Sequence, residues 1–421
     1  MRDELGFIAV TNQSAMLPFV SPEFIAFLQL RFFIAVGWHM QALIASWYVY
    51  SLTNDPLWLA LIGLAEAIPA IGMALPMGYV VDRLDKRRGI RIAVSMILLS
   101  AIGTAYLLMP ESRQAWGAPV VLNGLLAMIV INGAARAIYG PSMFSSLGRI
   151  VGREHIPRAS AINSAVWQAA MVSGPMAGGL LYGLYGVQTA AVTVICLMLI
   201  GGLGALRVTP KPPVDHQAGG SMREDLTMGL RFIFSRPVIV GALSLDLFAV
   251  LFGGVVALLP VFARDILHTD ESGLGLLRAA MGVGSIITMI LVAWRPIGRN
   301  AGRRLLWSVA GFGLCIIAFA LSSSFWLSFA LLVVAGGLDA VSVVIRHTIL
   351  QLATPEEMKG RVAAANTMFI SSSNELGAVE SGLAAKLLGT IPSVIAGGIV
   401  TLLVVAVVAA KNKPLRQARI E

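Results

Sequence analysis

The sequence predicts an all-α integral membrane protein in which twelve transmembrane helices form two pseudo-symmetric bundles of six. Three observations lead to this fold class: the composition, the recurrence of long apolar segments, and the placement of the basic residues. Of the 421 residues, 57% are hydrophobic and 13% are charged, with a mean hydropathy of +0.81. Because a soluble domain carries about 25% charged residues, most of this chain must contact lipid.

Apolar segments long enough to cross a bilayer recur along the whole chain. A helix of about 20 residues spans a hydrocarbon core about 30 Å thick. The twelve predicted spans cover approximately 24–51, 57–81, 90–109, 119–141, 160–184, 187–206, 238–263, 273–294, 305–322, 325–348, 362–388 and 391–410. The first span is longer than a signal-peptide core and lacks a small-residue cleavage site after it, so we expect it to remain in the mature protein.

The basic residues lie mostly on one side of these predicted helices. With both termini in the cytoplasm, the cytoplasmic segments hold 24 Lys and Arg residues, whereas the opposite side holds only Arg113, Arg264 and Lys386. This asymmetry follows the positive-inside rule and predicts an even number of spans with both ends cytoplasmic. It also explains the net charge of +9 without a nucleic-acid partner.

The longest polar interruption divides the chain into two halves. We expect a six-helix bundle at 1–206, a cytoplasmic linker at 207–237, and a second bundle with a short tail at 238–421. The halves also resemble each other at an offset of 203 residues. The matched pairs are Glu154 and Glu357, Arg158 and Arg361, Ala161 and Ala364, Asn163 and Asn366, Gly174 and Gly377, and Gly179 and Gly382. Parallel repeats of this kind are typical of transporters built from two bundles.

The loop at 78–88 reads GYVVDRLDKRR between two apolar runs. Gly78 allows close approach of the backbone, and Asp82 can accept hydrogen bonds from a neighbouring helix end. The basic residues, among them Arg83 and Arg87, favour the cytoplasmic face. The pattern predicts a tight turn between two membrane helices; the alternative interpretation is a basic loop that only sets topology.

Arg136 begins the segment RAIYG inside the predicted fourth helix, with Gly140 one turn later on the same face. An arginine in hydrocarbon costs several kcal/mol unless it faces a cavity or a counter-ion, which favours a functional role. The alternative is that its side chain extends to the headgroups from the cytoplasmic half of the helix.

The predicted fifth helix contains GPMAGG, with Gly174, Pro175, Gly178 and Gly179. Small residues at these spacings let two membrane helices pack backbone to backbone, and the proline favours a bend at their contact. General helix packing explains the glycines equally well.

Asp246 is the strongest candidate for proton coupling. It lies about eight residues into the predicted seventh helix, with no basic residue nearby in sequence. We therefore expect it to be held neutral and to exchange a proton, with a hydrogen-bonded structural acid as the alternative. Further coupling candidates are Glu375, Glu380, Arg136 and Glu66, and candidates for a substrate cavity are Arg31, His39, Gln168, Asp339, Asn366 and Asn374. Arg346 and Arg361 lie near predicted helix ends and are expected to set topology.

Taken together, these halves and motifs, with GLRFIFSRPV and LLPVFARDIL in the second half, resemble the major facilitator superfamily from Phe24 to Ala410. The similarity is strongest to the bacterial efflux branch that contains the enterobactin exporter. The resemblance implies that Asp82 steadies the outward-facing state, that Arg136 takes part in proton coupling, and that the GPMAGG glycines mark antiporters and exporters. The chain departs from the family at Asp85, where a second glycine is usual.

The resemblance implies a secondary active transporter, a monomer in the bacterial inner membrane, that exports a siderophore or amphipathic drug against inward proton flow. Uptake or lipid flipping by the same fold is the alternative, and a membrane enzyme or a non-transporting sensor would be a different class. The sequence has no H-E-x-x-H, G-x-S-x-G or nucleotide-binding loop, so we expect no enzyme activity, cofactor or metal. Cys196 and Cys315 fall inside predicted helices, as apolar packing residues.

Overall fold

A computed structural model describes residues 21–73, 85–152, 155–209, 222–294, 300–355 and 358–418, and these residues form helices and no strands. The helices of the first half are α1 (Pro22–Thr53), α2 (Leu57–Gly72), α3 (Lys86–Leu107), α4 (Pro110–Val151) and α5 (Ile156–Arg207). Those of the second half are α6 (Met222–Ser235), α7 (Pro237–Phe252), α8 (Glu271–Trp294), α9 (Ala301–Leu321), α10 (Phe325–Ala353), α11 (Lys359–Leu388), α12 (Thr390–Lys411) and α13 (Lys413–Arg416). Short 3-10, α and π turns continue the helical path of α7 to Ile266.

Nine helices in the described ranges are long and apolar enough to cross a membrane. Three of the twelve predicted spans are not counted separately, each for a physical reason. The helix α2 is described over only 16 residues, α11 is too polar, and α5 joins two predicted spans in one helix. The all-helical membrane fold is confirmed, and the number twelve stays a prediction.

Two glycines separate neighbouring spans in the same way in the two halves. Gly186 interrupts α5 with φ 82° and ψ 167°, and Gly389 separates α11 from α12 with φ 90° and ψ 154°. This region of backbone space is open almost only to glycine, because a Cβ would clash there. The two glycines are 203 residues apart, the same offset as the sequence repeat. The repeat therefore extends to the backbone geometry of these turns.

By its internal contacts the chain forms two compact units. The first unit comprises Met1–Ala42, Ile68–Gly174 and Tyr185–Asp215, and the second comprises Leu43–Ala67, Pro175–Leu184 and His216–Glu421. Two stretches of the first sequence half thus pack with the helices of the second half. This grouping by contacts differs from the covalent division at 207–237, which stays a prediction.

Side-chain hydrogen bonds hold the end of α1 within the second unit. Trp47 donates through Nε1 to Glu271 Oε1 at 2.8 Å, and the Tyr50 hydroxyl donates to Asp265. Both aromatic side chains are buried, so the bonds satisfy polar atoms that would otherwise lose their contact with water. These contacts explain why Leu43–Ala67 groups with the second half.

Glycines permit close contacts between helix backbones in the second unit. A Cβ on Gly179 would lie 2.8 Å from Gly275 Cα in α8, and a Cβ on Gly382 would lie 2.7 Å from the Ala60 nitrogen in α2. Because real Cβ atoms do not approach other atoms so closely, only glycine allows these helices to meet at this distance. Gly179 and Gly382 are one of the matched pairs of the repeat, so each half supplies the same kind of helix contact.

An ion pair outside the membrane spans joins the α1–α2 turn to α11. Lys386 Nζ lies 2.7 Å from Asp55 Oδ2. The hydrogen bond from Lys386, and next the one from the Leu57 N–H, lower the pKa of the Asp55 carboxyl below its ordinary value. The ion pair therefore stabilises the folded protein at pH values above the ordinary pKa of an aspartate. This stabilisation is lost as the pH falls through the lowered pKa of Asp55. Both partners are partly exposed, so the pair contributes less than about 1 kcal/mol.

The turn glycines give a direct test of the backbone geometry. Gly186→Ala or Gly389→Ala should destabilise the protein by about 1–3 kcal/mol, because alanine is strained at this φ and ψ. Gly140→Ala is the matched control: a Cβ there, as at Gly186, meets nothing within 4 Å, but Gly140 is helical. Thermal unfolding of the purified protein in detergent measures the difference. Equal melting temperatures for Gly186→Ala and Gly140→Ala would show that the turn geometry is wrong.

Candidate functional site

A buried ion pair between α7 and α10 is the strongest electrostatic feature of the second unit. Asp246 and Arg346 form a salt bridge, with 7% and 4% of their surfaces exposed. A charge inside a membrane protein needs such a partner because desolvation of either charge alone costs several kcal/mol. No basic residue lies near Asp246 in sequence, but the fold brings Arg346 to it, and the expectation that Arg346 only sets topology is wrong. The pairing was not predictable from proximity in sequence, because the two residues are 100 positions apart and lie on neighbouring helices.

The spacing of polar residues along α10 places them on one face of that helix. Asp339, Ser342 and Arg346 follow the pattern i, i+3, i+7, which is the repeat of a helix face. Asp339 was expected in a substrate cavity, and the structure places it beside the Asp246–Arg346 pair. This spacing is a signal in the sequence that could have identified Arg346 as part of the same site.

Asp246 and Asp339 line one small cavity, which we call the carboxylate cavity. Its volume is about 10 Å³, room for about one water-sized sphere, and Ser308 of α9 and Ser342 of α10 also line it. The apolar part of its wall consists of Ala249, Val250, Val309, Phe312 and Leu338. Two carboxylates here face one guanidinium, so the ionised site keeps one excess negative charge. The two serines were missed by the sequence analysis, because serine is common in membrane helices.

The other acidic candidates lie apart from the carboxylate cavity. Glu66 in α2 interacts electrostatically with Arg278 of α8, whose Nη1 lies 3.4 Å from Ser46 Oγ. Glu375 is buried in α11. Glu380 lines a second cavity of about 10 Å³, which shares no lining residue with the first. The structure therefore brings Asp246 and Asp339 together and leaves these three glutamates elsewhere in the second unit.

The first unit contains a cluster of basic and aromatic side chains, which we call the arginine–tryptophan cluster. The Arg31 guanidinium of α1 lies 4.2 Å from the centre of the Trp167 ring in α5. His39 packs edge-on against the same ring at 5.3 Å. Tyr139 of α4 lies beside Arg31 and is 3% exposed. Arg31 and His39 were expected in a substrate cavity; Trp167 and Tyr139 were not, since aromatic residues are common in membrane helices.

Several buried polar atoms on the helices of this cluster make no hydrogen bond to described protein atoms. They are Arg31 Nε of α1, Asn132 Oδ1 of α4 and Asn163 Oδ1 of α5. Unsatisfied buried polar atoms are rare in folded proteins and point to strain or to a ligand. Arg31 stacks on an aromatic ring and, in the described residues, forms no ion pair with a carboxylate. The cluster thus offers a positive charge and the unbonded Nε–H of Arg31.

Close packing of α1 on α5 positions the arginine–tryptophan cluster. A Cβ on Gly174 would lie 2.8 Å from His39 Cβ and 2.9 Å from the Val36 carbonyl oxygen. Pro175 and Gly178 follow and are buried. Glycine at 174 is therefore required for the distance at which Arg31 reaches Trp167.

Arg136 also stacks on an aromatic ring in the first unit. Its guanidinium lies 4.5 Å from the centre of the Trp38 ring, and the side chain is partly buried. A Cβ on Gly140, one turn later, would meet nothing within 4 Å. Arg136 therefore extends toward α1, where its charge is stabilised by a cation–π contact.

The contacts of the described residues connect none of the remaining polar candidates to either site. Gln168 is partly buried in α5, and Asn374 is exposed in α11, where its side chain donates to the Ile370 carbonyl at 2.8 Å. Asn366 is buried, and its Oδ1 accepts no hydrogen bond from the described protein. It is the repeat counterpart of Asn163, so both halves bury an unsatisfied amide oxygen at the same position.

Gly78, Asp82 and Arg83 of the predicted gating loop lie outside the described residues. Arg87 is described, and its Nη2 lies 3.4 Å from the Leu206 carbonyl oxygen at the end of α5. Asp85 caps α3 by accepting a hydrogen bond from the Arg87 N–H at 3.1 Å. The aspartate that stands in place of the usual glycine thus stabilises a helix start.

Among the described residues, no group of three or more His, Cys, Asp or Glu side chains is placed to hold a metal ion. The ionisable groups of the two sites are a stacked guanidinium in the first unit, and two carboxylates with one guanidinium in the second.

Comparison with known proteins places this fold and these motifs in a family. The chain is 28% identical over 327 residues to the enterobactin exporter EntS of Shigella dysenteriae serotype 1, covering 76% of this chain and 75% of that protein. It is 26% identical over 386 residues to EntS of Shigella boydii serotype 4, covering 90% and 88%. A crystal structure of a POT family transporter in complex with 5-aminolevulinic acid superposes with a TM-score of 0.71 at 10% identity, covering 93% of this chain and 96% of that one.

The extent of one match shows the family to which the chain belongs. The profile of the Major Facilitator Superfamily matches residues 27–378, which is most of the chain. The protein is therefore a multi-pass membrane transporter and not an enzyme. The resemblance inferred from the sequence motifs is confirmed, and the chain belongs to the Major Facilitator Superfamily.

Proposed function

We propose that the protein exports a small organic anion of the siderophore type across the bacterial inner membrane, in exchange for protons. The observation that carries this proposal is a difference in charge between the two units. Between the helix ends of the first unit, the described residues include Arg31 and Arg136 and no carboxylate. The carboxylate cavity of the second unit has an excess of negative charge.

The arginine–tryptophan cluster is the proposed substrate site. A guanidinium that stacks on an indole ring keeps its in-plane N–H groups available, and these groups bind carboxylate or phenolate oxygens as charge-assisted hydrogen bonds. Trp167 offers an apolar face to an aromatic ring. This chemistry favours an anionic aromatic molecule over a cationic drug. It agrees with the relatives, which are named as enterobactin exporters.

The carboxylate cavity is the proposed site of proton coupling. When Arg346 neutralises Asp246, the Asp339 carboxylate is left with an excess charge in a largely apolar site, and a bound proton removes it. Opening of the cavity to water would release that proton, because a solvated carboxylate ionises readily. The charge state of the cavity would then change with the direction in which the transporter faces. Asp246 and Asp339 act as a coupled pair in this scheme, with Glu375, Glu380, Glu66 and Arg136 as secondary candidates.

The conformational part of the proposal follows the family mechanism of alternating access. Asp82 and its loop would steady the outward-facing state, and GPMAGG would serve the exchange of helix contacts. Both termini lie in the cytoplasm in this scheme, and the protein acts as a monomer. Uptake or lipid flipping by the same fold is distinguished by the direction and the substrate of the flux.

Transport in proteoliposomes tests the coupling site. With an imposed pH gradient, the wild-type protein should move a catecholate siderophore uphill, against inward proton flow. Asp339→Asn should still exchange labelled substrate but should lose most of the pH-driven accumulation, because an amide cannot release a proton. Glu111→Gln, an exposed acid at the start of α4, is the control and should transport normally. Uphill transport by Asp339→Asn at the wild-type level would contradict the coupling site, and flux only down the siderophore gradient would contradict proton-coupled export.

Substrate binding tests the arginine–tryptophan cluster. Arg31→Gln should weaken equilibrium binding of the siderophore about tenfold or more, because a hydrogen bond to a charged group contributes about 1.5–3 kcal/mol. Arg31→Lys should recover part of the affinity, since it keeps the charge but not the planar donor groups. Arg113→Gln, an exposed arginine of the same unit, is the control. Calorimetry on the purified protein measures the affinities, and wild-type affinity in Arg31→Gln would place the substrate elsewhere.

A further inference from the structure

The carboxylate cavity has features that a proton site does not require. A proton binds to a single carboxylate, whereas four oxygen-bearing side chains from three helices line this cavity: Asp246 of α7, Ser308 of α9, and Asp339 and Ser342 of α10. We propose that the cavity is a binding site for a monovalent cation, with Na⁺ as the ion, held by these four side chains. The inference rests on the proposed function in one respect, since it names a second ion for the coupling site.

The two serine hydroxyls provide an observation independent of the acids. Ser308 and Ser342 are only 6% and 3% exposed, and both line the cavity. Neither hydroxyl forms a hydrogen bond within the described part of the chain, although serines in membrane helices commonly bond to a carbonyl one turn earlier, as Ser173 does to Ala169 at 2.8 Å. Burial of a hydroxyl without a hydrogen-bond partner costs about 1–3 kcal/mol of folding free energy, and a ligand bound at this position would offset that cost.

The ligand set selects the kind of cation. Carboxylate and hydroxyl oxygens are hard ligands and suit hard cations, whereas the nitrogen and sulfur ligands that transition metals prefer do not line the cavity. The two carboxylates and the Arg346 guanidinium leave one negative charge in the cavity. His347, the next residue of α10, is exposed. A monovalent cation neutralises the remaining charge, whereas a divalent cation would leave an excess positive charge in a membrane protein.

The size of the cavity excludes a larger ligand. The space that the centre of a water-sized sphere can reach is about 10 Å³, about what one water molecule needs, and the side chains of Phe312 and Leu338 form part of the wall. The organic substrate therefore does not fit, but an ion does. The salt bridge to Arg346 holds Asp246 in place at the wall of the cavity.

Binding of radioactive Na⁺ to the purified full-length protein tests this inference directly. Scintillation proximity in detergent, with choline chloride to keep the ionic strength constant, should show saturable binding that unlabelled Na⁺ displaces. Asp339→Asn should abolish it. Ser308→Ala and Ser342→Ala should each weaken it about tenfold, the change expected when one hydrogen-bonding group of a charged site is removed.

The matched control is Ser328→Ala on α10, the helix that carries Ser342. Ser328 is fully buried, but its hydroxyl bonds to Ser322 Oγ at 3.0 Å, away from the cavity. This variant should bind Na⁺ with wild-type affinity. If Asp339→Asn does not fold, the two cavity serines decide the question. Absence of saturable binding by the wild-type protein overturns the inference, and so does wild-type affinity in both Ser308→Ala and Ser342→Ala.

The outcome separates this inference from the proposed function. Proton-driven export without Na⁺ binding would refute the cation site and leave the exporter intact. Saturable Na⁺ binding that depends on Ser342, without proton-driven export, would support the cation site and refute proton coupling.

Discussion

The salt bridge between Asp246 and Arg346 is the interaction on which the second unit depends. In a membrane protein neither charge is stable alone, so the pair fixes α7 against α10 and holds the helix face that carries Asp339 and Ser342. Since one guanidinium serves two carboxylates, the site is left one charge out of balance. That imbalance makes the cavity able to respond to a cation, because a bound proton or metal ion changes its charge by one unit.

The repeat explains how one scaffold carries two different sites. Equivalent glycines make equivalent contacts in the two halves: Gly179 and Gly382 each meet a helix backbone, and Gly186 and Gly389 make the same turn. The charges do not follow the repeat. The described interior of the first unit is basic and aromatic around Arg31, whereas the second unit collects most of the buried acids. A symmetric framework with asymmetric charges is consistent with the proposal that one unit binds an organic anion and the other a cation.

Much of the fold was predictable from the sequence, because the hydrocarbon of a bilayer tolerates few unpaired polar or charged groups. Composition, span length and the side of the basic residues indicated a helical membrane protein, and the limits of the predicted spans placed turns near Gly186 and Gly389. Charged residues within spans were identified as candidates because each is costly in hydrocarbon. Their partners were not predictable from local pattern. Arg346 reaches Asp246 across 100 residues, and Trp167 reaches Arg31 only because Gly174 lets α5 approach α1.

A double-mutant cycle on the salt bridge tests the central claim most directly. Thermal unfolding of the purified protein would be measured for Asp246→Asn, Arg346→Gln and the double variant. We expect each single variant to lose about 3–5 kcal/mol, because it leaves a buried charge without its partner, and the double variant to recover a large part of that loss. Losses that simply add in the double variant would show that the two charges do not stabilise each other, and would contradict the account.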